Sequence, residues 1–82
     1  QAVRAFPNPS NGQFAIQING ATSFEGSLEI INGVGKVLVN EVVSKQEGRF
    51  ELPLDLRNLP KGVYTLRLSG DDGQTNLRIV LQ

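Results

Sequence analysis

The sequence predicts an all-β fold, an antiparallel sandwich of seven short strands with immunoglobulin-like, Greek-key topology. Apolar side chains recur at every second residue in successive short segments, which is the period of a half-buried strand. Clusters of glycine, proline and asparagine separate these segments at the spacing typical of sandwiches. No segment shows the 3.6-residue apolar period over a helical length. The predicted strands cover residues 3–6, 13–19, 27–31, 36–43, 49–56, 63–69 and 75–81.

The C-terminal part of the chain is the clearest unit, a β-hairpin that turns at residues 70–73. Folding the chain about this turn places Leu66 opposite Leu77 and Tyr64 opposite Ile79. A slip of one residue would turn one strand's apolar side chains to the opposite face, so the pattern predicts this register. A glycine two residues before Tyr64 is typical of a tyrosine that bonds through its hydroxyl to the preceding crossover backbone. This arrangement favours a Greek-key sandwich.

A second hairpin is predicted to turn at residues 32–35. Folding about this loop pairs Ile30 with Val37 and Leu28 with Val39, and it turns all four side chains towards the core. The residues on the opposite face are then Glu29, Ile31 and Leu38. Because apolar residues dominate this outer set, we expect a partner or a covering loop on the outside of the hairpin.

The predicted core collects inward-facing residues from the alternating strands. Its members are Phe14, Ile16, Ile18, Leu28, Ile30, Phe50, Leu52, Tyr64, Leu66, Leu77 and Ile79. The segment at residues 49–56 contains Pro53, which cannot donate a hydrogen bond to a neighbouring strand. We therefore expect this segment to lie at the edge of a sheet.

Composition and charge disfavour several classes of function. The chain has eight basic and eight acidic residues, with no run of like charge, so it lacks the basic surface that binds nucleic acids or anionic membranes. Its apolar runs are too short for a transmembrane helix. The absence of cysteine and histidine removes disulfides, thiolate chemistry and the usual proton shuttle at neutral pH. We expect a domain that is not an enzyme, binds no cofactor, binds no nucleic acid and does not insert into a membrane.

Two acidic pairs are the remaining candidates for chemistry. Asp71 and Asp72 could ligate calcium, but such a site needs more oxygen ligands than one turn supplies. Glu51 and Asp55 could form the carboxylate pair of a glycoside hydrolase. They lie on one outer strand face, without a visible cleft or aromatic platform. Turn chemistry explains the first pair and a solvated surface explains the second better than catalysis does.

Four segments, taken together and in this order, resemble a known family. The segments that carry the resemblance run from Phe6 to Phe14, from Leu28 to Val37, from Asp55 to Leu66 and from Leu77 to Gln82. They are similar to the C-terminal sorting domain (type A) of cargo proteins of the type IX secretion system in Bacteroidetes. The similarity extends from Val3 to Gln82. Two positions depart from the family's pattern: Ile31 stands where an aromatic residue is common, and Arg78 is a single base where a pair of lysines is frequent.

The resemblance implies a function as well as a fold. In that family a seven-stranded immunoglobulin-like sandwich is the sorting signal that directs a secreted protein across the outer membrane to the cell surface. The implied partners are the type IX translocon, a cell-surface sortase-like protease that cleaves or exchanges the label, and a covalently linked N-terminal cargo. Because the sequence begins with Gln1 rather than methionine, we expect either a processed product or a domain excised from a longer protein. The resemblance implies that residues 1–82 are a single C-terminal domain of a longer secreted protein.

The resemblance is densest in the terminal hairpin and the turn that precedes it, and a receptor can most readily bind the free C-terminal end of a completed chain. We therefore place the recognition signal on six residues, namely Leu59, Pro60, Gly62, Tyr64, Arg78 and Gln82. Tyr64 is expected to be buried and Arg78 to be exposed. Loss of Arg78 together with residues 81–82 is expected to change stability little.

The main rival interpretation is an accessory adhesion or carbohydrate-binding module of a secreted enzyme, and a third is an inert spacer. Sugar-binding platforms usually need exposed aromatic rings. This chain has no tryptophan and only one tyrosine. Position in the precursor would separate the three, because a sorting label ends its protein whereas the other two can be followed by further sequence.

Overall fold

Strands make up most of the computed structural model, which describes residues 2–19, 24–45, 50–70 and 73–82. Within these ranges there are seven strands and no helix. In chain order they are β1 (Ala2–Phe6), β2 (Gln13–Asn19), β3 (Phe24–Ile31), β4 (Val37–Lys45), β5 (Phe50–Asp55), β6 (Gly62–Gly70) and β7 (Gly73–Leu81). The predicted all-β fold is confirmed. The described residues form no helix with the length and hydropathy needed to cross a membrane.

The strands form two antiparallel sheets that enclose the core. One sheet has the order β1-β2-β5 and the other has the order β4-β3-β6-β7. Strands that are not consecutive pair in both sheets, β2 with β5 and β3 with β6, as Greek-key connections require. This arrangement agrees with an immunoglobulin-like sandwich. Pro53 lies in β5 opposite Ala15, and β5 is an edge strand, so the edge prediction is also confirmed.

The predicted register of the terminal hairpin is confirmed. Leu66 lies opposite Leu77, and Tyr64 lies opposite Ile79. Tyr64, Leu66 and Ile79 are buried, and Leu77 packs partly buried against the same cluster. The turn residues 71–72 lie outside the described residues.

The predicted register of the β3–β4 hairpin is wrong by two residues. Ile30 lies opposite Val39 rather than Val37, and the partner of Leu28 is shifted by the same amount. An irregularity between Ile30 and Ile31 sets Ile31 opposite Val37. A β-bulge places one extra residue in one strand, so the count from the turn no longer gives the partners.

The exposure of this hairpin also differs from the prediction. Val37 is not inward-facing core but 42% exposed, and Leu38 packs partly buried against the core rather than lying outside. Ile31 is buried, although it does not belong to the main cluster. Its cross-strand neighbours are Val37 and Thr65. Ile31 therefore adds no exposed apolar surface.

The core combines side chains from both sheets. Its buried members are Phe14, Ile16, Ile18, Leu28, Ile30, Val43, Leu56, Tyr64, Leu66, Leu68, Ile79 and Leu81. Three predicted core residues lie at its margin and are partly buried, namely Phe50, Leu52 and Leu77. The other predicted members lie in the buried cluster, so the alternation located the core correctly.

Candidate functional site

Four segments meet at one end of the sandwich, which we call the motif end. It is formed by residues 7–12, 32–36, 56–61 and 81–82. The β1–β2 loop, residues 7–12, reaches both sheets. Ser10 forms a parallel bridge with Leu81 of β7, and the Gly12 carbonyl accepts a 2.7 Å hydrogen bond from the Leu56 amide. The β3–β4 loop lies at the same end, because the end of β3 pairs with the beginning of β6. Each segment that carries the resemblance contributes to this end.

The β1–β2 loop binds along the backbone of the last strand. The side-chain amide of Asn8 donates from Nδ2 to the Arg78 carbonyl at 2.7 Å and accepts at Oδ1 from the Val80 amide at 3.0 Å. The Ser10 amide donates to the Val80 carbonyl at 3.0 Å, and the Gln82 amide donates to the Ser10 carbonyl at 2.8 Å. The loop thus acts as a short additional strand on the outer edge of β7.

We expect Asn8→Ala to lower the free energy of unfolding by about 1 to 3 kcal/mol, because it removes two hydrogen bonds worth roughly 0.5–1.5 kcal/mol each. Asn11→Ala is the matched control, since Asn11 lies in the same loop and its side chain accepts from the nearby Gln13 amide rather than from β7. Urea titration of the purified domain measures both variants. An Asn8→Ala midpoint equal to that of the unmodified domain would show that the pairing with β7 contributes no stability.

Gly12 brings the β1–β2 loop against the turn that follows β5. Its φ of 110° lies in a region that L-amino acids rarely adopt. A Cβ atom at this position would lie 3.0 Å from the Cα of Arg57. The Gly12 amide donates to Oγ of the buried Ser10 at 3.1 Å, which closes the loop on itself. Glycine is therefore required here both for the backbone conformation and for the close approach.

Tyr64 connects the turn before β6 to the core. Its ring is 6% exposed within the buried cluster, and its hydroxyl donates a hydrogen bond to the Pro60 carbonyl. The predicted bond from a tyrosine hydroxyl back to the crossover backbone is confirmed. Leu59 packs partly buried against the core, and its amide donates to the Leu56 carbonyl at 3.0 Å. Two hydrogen bonds therefore fix the turn, one from the Tyr64 hydroxyl and one from the Leu59 amide.

Glu51 and Asp55, the acidic pair considered for catalysis, each form hydrogen bonds with a different neighbouring residue. Arg57 donates to Asp55 from Nε at 2.9 Å and from Nη2 at 2.8 Å. These side-chain hydrogen bonds lower the pKa of the Asp55 carboxyl, whereas a general acid needs a raised pKa. Glu51 accepts from Nε2 of Gln17 at 3.1 Å. Asp55 and Arg57 line an open depression with Asn58, and the two charges satisfy each other there.

The other acidic pair, Asp71 and Asp72, lies outside the described residues. Within the part of the chain that the structure describes, no three acidic side chains cluster in a way that could hold a metal ion. No cation site is assigned there.

Comparison with protein families matches residues 4–82 to the secretion system C-terminal sorting domain. The chain belongs to this family. A comparison with curated proteins finds no match. Sorting domains of this family are the C-terminal signal for type IX secretion. Membership therefore implies that an N-terminal cargo precedes the domain. It also implies export across the outer membrane to the cell surface or beyond. Such a domain is a signal rather than a catalyst, and membership gives no support to an accessory adhesion or sugar-binding role.

The six residues assigned to the recognition signal differ in their exposure to solvent. Tyr64 is buried and Leu59 is half-buried, so both shape the turn. Gly62 begins β6 and pairs with Leu81. The accessible residues are Pro60, Arg78 and Gln82, whose side chains are exposed. All except Tyr64 and Arg78 belong to or adjoin the motif end.

One expectation about the end of the sorting domain is wrong. Leu81 is a buried member of the core, and the Gln82 amide bonds to Ser10. Removing residues 81–82 would therefore destabilise the fold, so truncation cannot separate recognition from stability. Substitution of the exposed side chains of Arg78 and Gln82 can separate them, because both backbones remain in place.

Reasoning from the sequence did not find the contribution of the β1–β2 loop. Asn8 and Ser10 lie in the loop between two predicted strands, and the structure shows that they bond to β7. An asparagine between two prolines gives no indication of a partner so far along the chain. Only the resemblance of both segments to one family indicated that the β1–β2 loop and the last strand are related.

Proposed function

We propose that the translocon recognises the folded sorting domain through the terminal hairpin near the motif end, with Arg78 and Gln82 as direct contacts. The relevant surface is the outer face of the four-stranded sheet, defined as the face turned away from the core. Tyr64 and Leu66 point inward, so alternation places the intervening Thr65, and Arg78 opposite it, on the outer face.

The observation that carries this proposal is that the structure gives Arg78 no charged partner among the described residues. Arg67 lies on the same face, but its guanidinium contacts Asn76 at 3.3 Å and Glu29 at 3.8 Å. The exposed Arg78 side chain has no hydrogen bond or ion pair with any described residue. A cation without a partner among the described residues, on the strand that leads to Gln82, is available to an acidic group on a receptor.

The orientation of the cargo supports the same proposal. Ala2 pairs with Asn19 whereas Phe6 pairs with Ala15, so β1 begins at the end of the sandwich opposite the motif end. A cargo joined before β1 extends away from the surface that we assign to the translocon. We further propose that the sortase-like protease cleaves on this far side, where it can release the cargo while the translocon still holds the label.

The test fuses residues 1–82 to the C-terminus of a periplasmic reporter in a bacterium with an intact type IX secretion system. We expect the reporter at the cell surface, measured by its accessibility to added protease. Arg78→Ala combined with Gln82→Ala is expected to retain the reporter in the periplasm. The melting temperature of the isolated domain should change little, because exposed substitutions usually shift stability by less than about 0.5 kcal/mol.

Arg67→Ala is the matched control, since it removes an arginine from the same sheet face that is already partnered within the domain. We expect this variant to be exported normally. Export of the folded Arg78→Ala, Gln82→Ala variant at the unmodified level would refute the assignment of the signal to the terminal strand.

A further inference from the structure

The β3–β4 loop, residues 32–36, is a rigid tip. Oδ1 of Asn32 accepts hydrogen bonds from the Val34 amide at 3.1 Å and from the Lys36 amide at 2.9 Å. The backbone closes the same loop, because the Asn32 amide donates to the Lys36 carbonyl at 2.9 Å and the Gly35 amide donates to the Asn32 carbonyl at 3.1 Å. One asparagine thus fixes the conformation of the whole tip.

This rigid tip holds an apolar side chain out in solvent. Val34 is 89% exposed, and the loop that carries it makes its hydrogen bonds internally. A surface loop gains no folding stability from a valine in that position. A preordered apolar group does favour binding, because little conformational freedom is lost when a partner covers it.

The tip adjoins the surface that we assign to the translocon. Val37, Ile31, Thr65 and Arg78 form one row across the four-stranded sheet. Ile31 and Arg78 are two strands apart in this row, a separation of about 10 Å at ~4.8 Å per strand. The β3–β4 loop begins immediately after Ile31, so one protein surface of ordinary size can cover both the tip and Arg78.

Exposed apolar groups accompany this row. Val37 is 42% exposed and Val63 is 48% exposed, and Val63 lies opposite Val80 at the same end of the terminal hairpin. The tip and the terminal strand are therefore joined by a partly apolar surface rather than separated by charged side chains. Such a composition is typical of the centre of a protein interface.

We propose that Val34 is an apolar anchor for the same receptor that binds Arg78. The partner is a protein surface with an acidic group for Arg78 and an apolar socket for Val34. The socket lies beyond the two strand spacings that separate Arg78 from Ile31. This inference rests on the proposed function and extends it, because it adds a second contact carried by the β3–β4 hairpin. The recognition surface is then composite and exists only in the folded domain.

The experiment compares two valines in the export assay described above. Val34→Ser removes the anchor. Val42→Ser is the matched control, because Val42 is 90% exposed and lies on the same face opposite Ser27, near the other end of β3. We expect Val34→Ser to lower the surface-to-periplasm ratio of the reporter by about fivefold or more, as loss of an interface anchor does, and Val42→Ser to leave it unchanged. Both isolated domains should melt at the unmodified temperature.

Two variants of Asn32 test the role of the rigid loop. Asn32→Ala removes the acceptor that holds the Val34 and Lys36 amides, so we expect export to fall although Val34 is still present. Asn32→Asp keeps an oxygen at Oδ1 and should restore export. A merely structural role for Asn32 predicts instead that export follows the melting temperature of each variant.

The outcomes separate this inference from the function on which it rests. If the unmodified domain fails to deliver the reporter, the proposed function itself is wrong. Normal export of Val34→Ser alongside retention of the Arg78→Ala, Gln82→Ala variant would overturn the anchor alone, and equal defects in Val34→Ser and Val42→Ser would also overturn it. A dimer of the purified domain that Val34→Ser dissociates would assign the tip to a second copy of this chain and overturn the assignment to a receptor.

Discussion

Tyr64→Ala is expected to lower the free energy of unfolding by roughly 3–5 kcal/mol, the range for truncation of a large buried aromatic side chain. The substitution empties a core site opposite Ile79 and removes the hydroxyl that bonds to the Pro60 carbonyl. A domain of this length has a total stability of roughly 4–12 kcal/mol. Thermal and urea unfolding of the purified domain should therefore show a marginally folded protein, and export of a fused reporter should fail with it.

Tyr64→Phe separates the two contributions, because it keeps the ring and removes only the hydroxyl. We expect it to cost about 1 kcal/mol, the net value of one hydrogen bond, and to leave export intact. A Tyr64→Ala domain that melts like the unmodified one but is not exported would contradict the structural role, and it would place Tyr64 in direct contact with the receptor instead.

Gly12→Ala is expected to produce the second largest effect. A residue with a side chain at φ near 110° is strained by roughly 1–3 kcal/mol. The new Cβ would also lie 3.0 Å from the Cα and 3.1 Å from the amide nitrogen of Arg57. These are backbone atoms, so the turn after β5 must move. We expect a lower urea midpoint and faster hydrogen exchange of the Leu56 amide, which loses its bond to the Gly12 carbonyl.

Gly33→Ala is the matched control for this prediction. Gly33 lies outside the positive-φ region, and a Cβ there would meet no atom within 4 Å. Its urea midpoint should match that of the unmodified domain. Equal effects of the two substitutions would show that the close approach of Gly12 to Arg57 is not what makes glycine necessary there.

The two hairpins show which strand registers can be predicted from the sequence and which cannot. In the middle of the terminal hairpin, apolar Leu66 and Leu77 are each flanked by polar residues on both sides, so a slip of one residue would bring a polar side chain into the core. In β4 the residues Val37, Leu38 and Val39 are consecutive and all apolar, so their pattern does not distinguish one register from the next. The turn shifts the pairing by one residue, since Ile31 lies opposite Val37 rather than Lys36, and the bulge between Ile30 and Ile31 adds a second. Neither shift leaves a trace in hydrophobicity.

The candidate site could be predicted in part. The hydrogen bond of Tyr64 followed from its spacing to a preceding glycine, since that motif is local in sequence. The position of Asn8 beside Val80 could not be predicted, because a side-chain amide can bond to any backbone that the fold brings within reach. The register of Ile31 with Thr65, which places the β3–β4 tip near the terminal strand, likewise depends on the order of strands in the sheet.

The hydrogen bonds between the β1–β2 loop and β7 join the two ends of the sorting domain. Asn8 contacts Arg78 and Val80 across 70 and 72 positions of sequence, so these bonds form only after ribosomal synthesis has passed the last strand. A precursor that stops before Arg78 leaves residues 62–65 of β6 without their partners in β7 and the loop without its own. Completion of the fold at the β1–β2 loop therefore depends on residues from both ends of the domain, so the first loop of the chain reaches its final bonding only when the last strand is present.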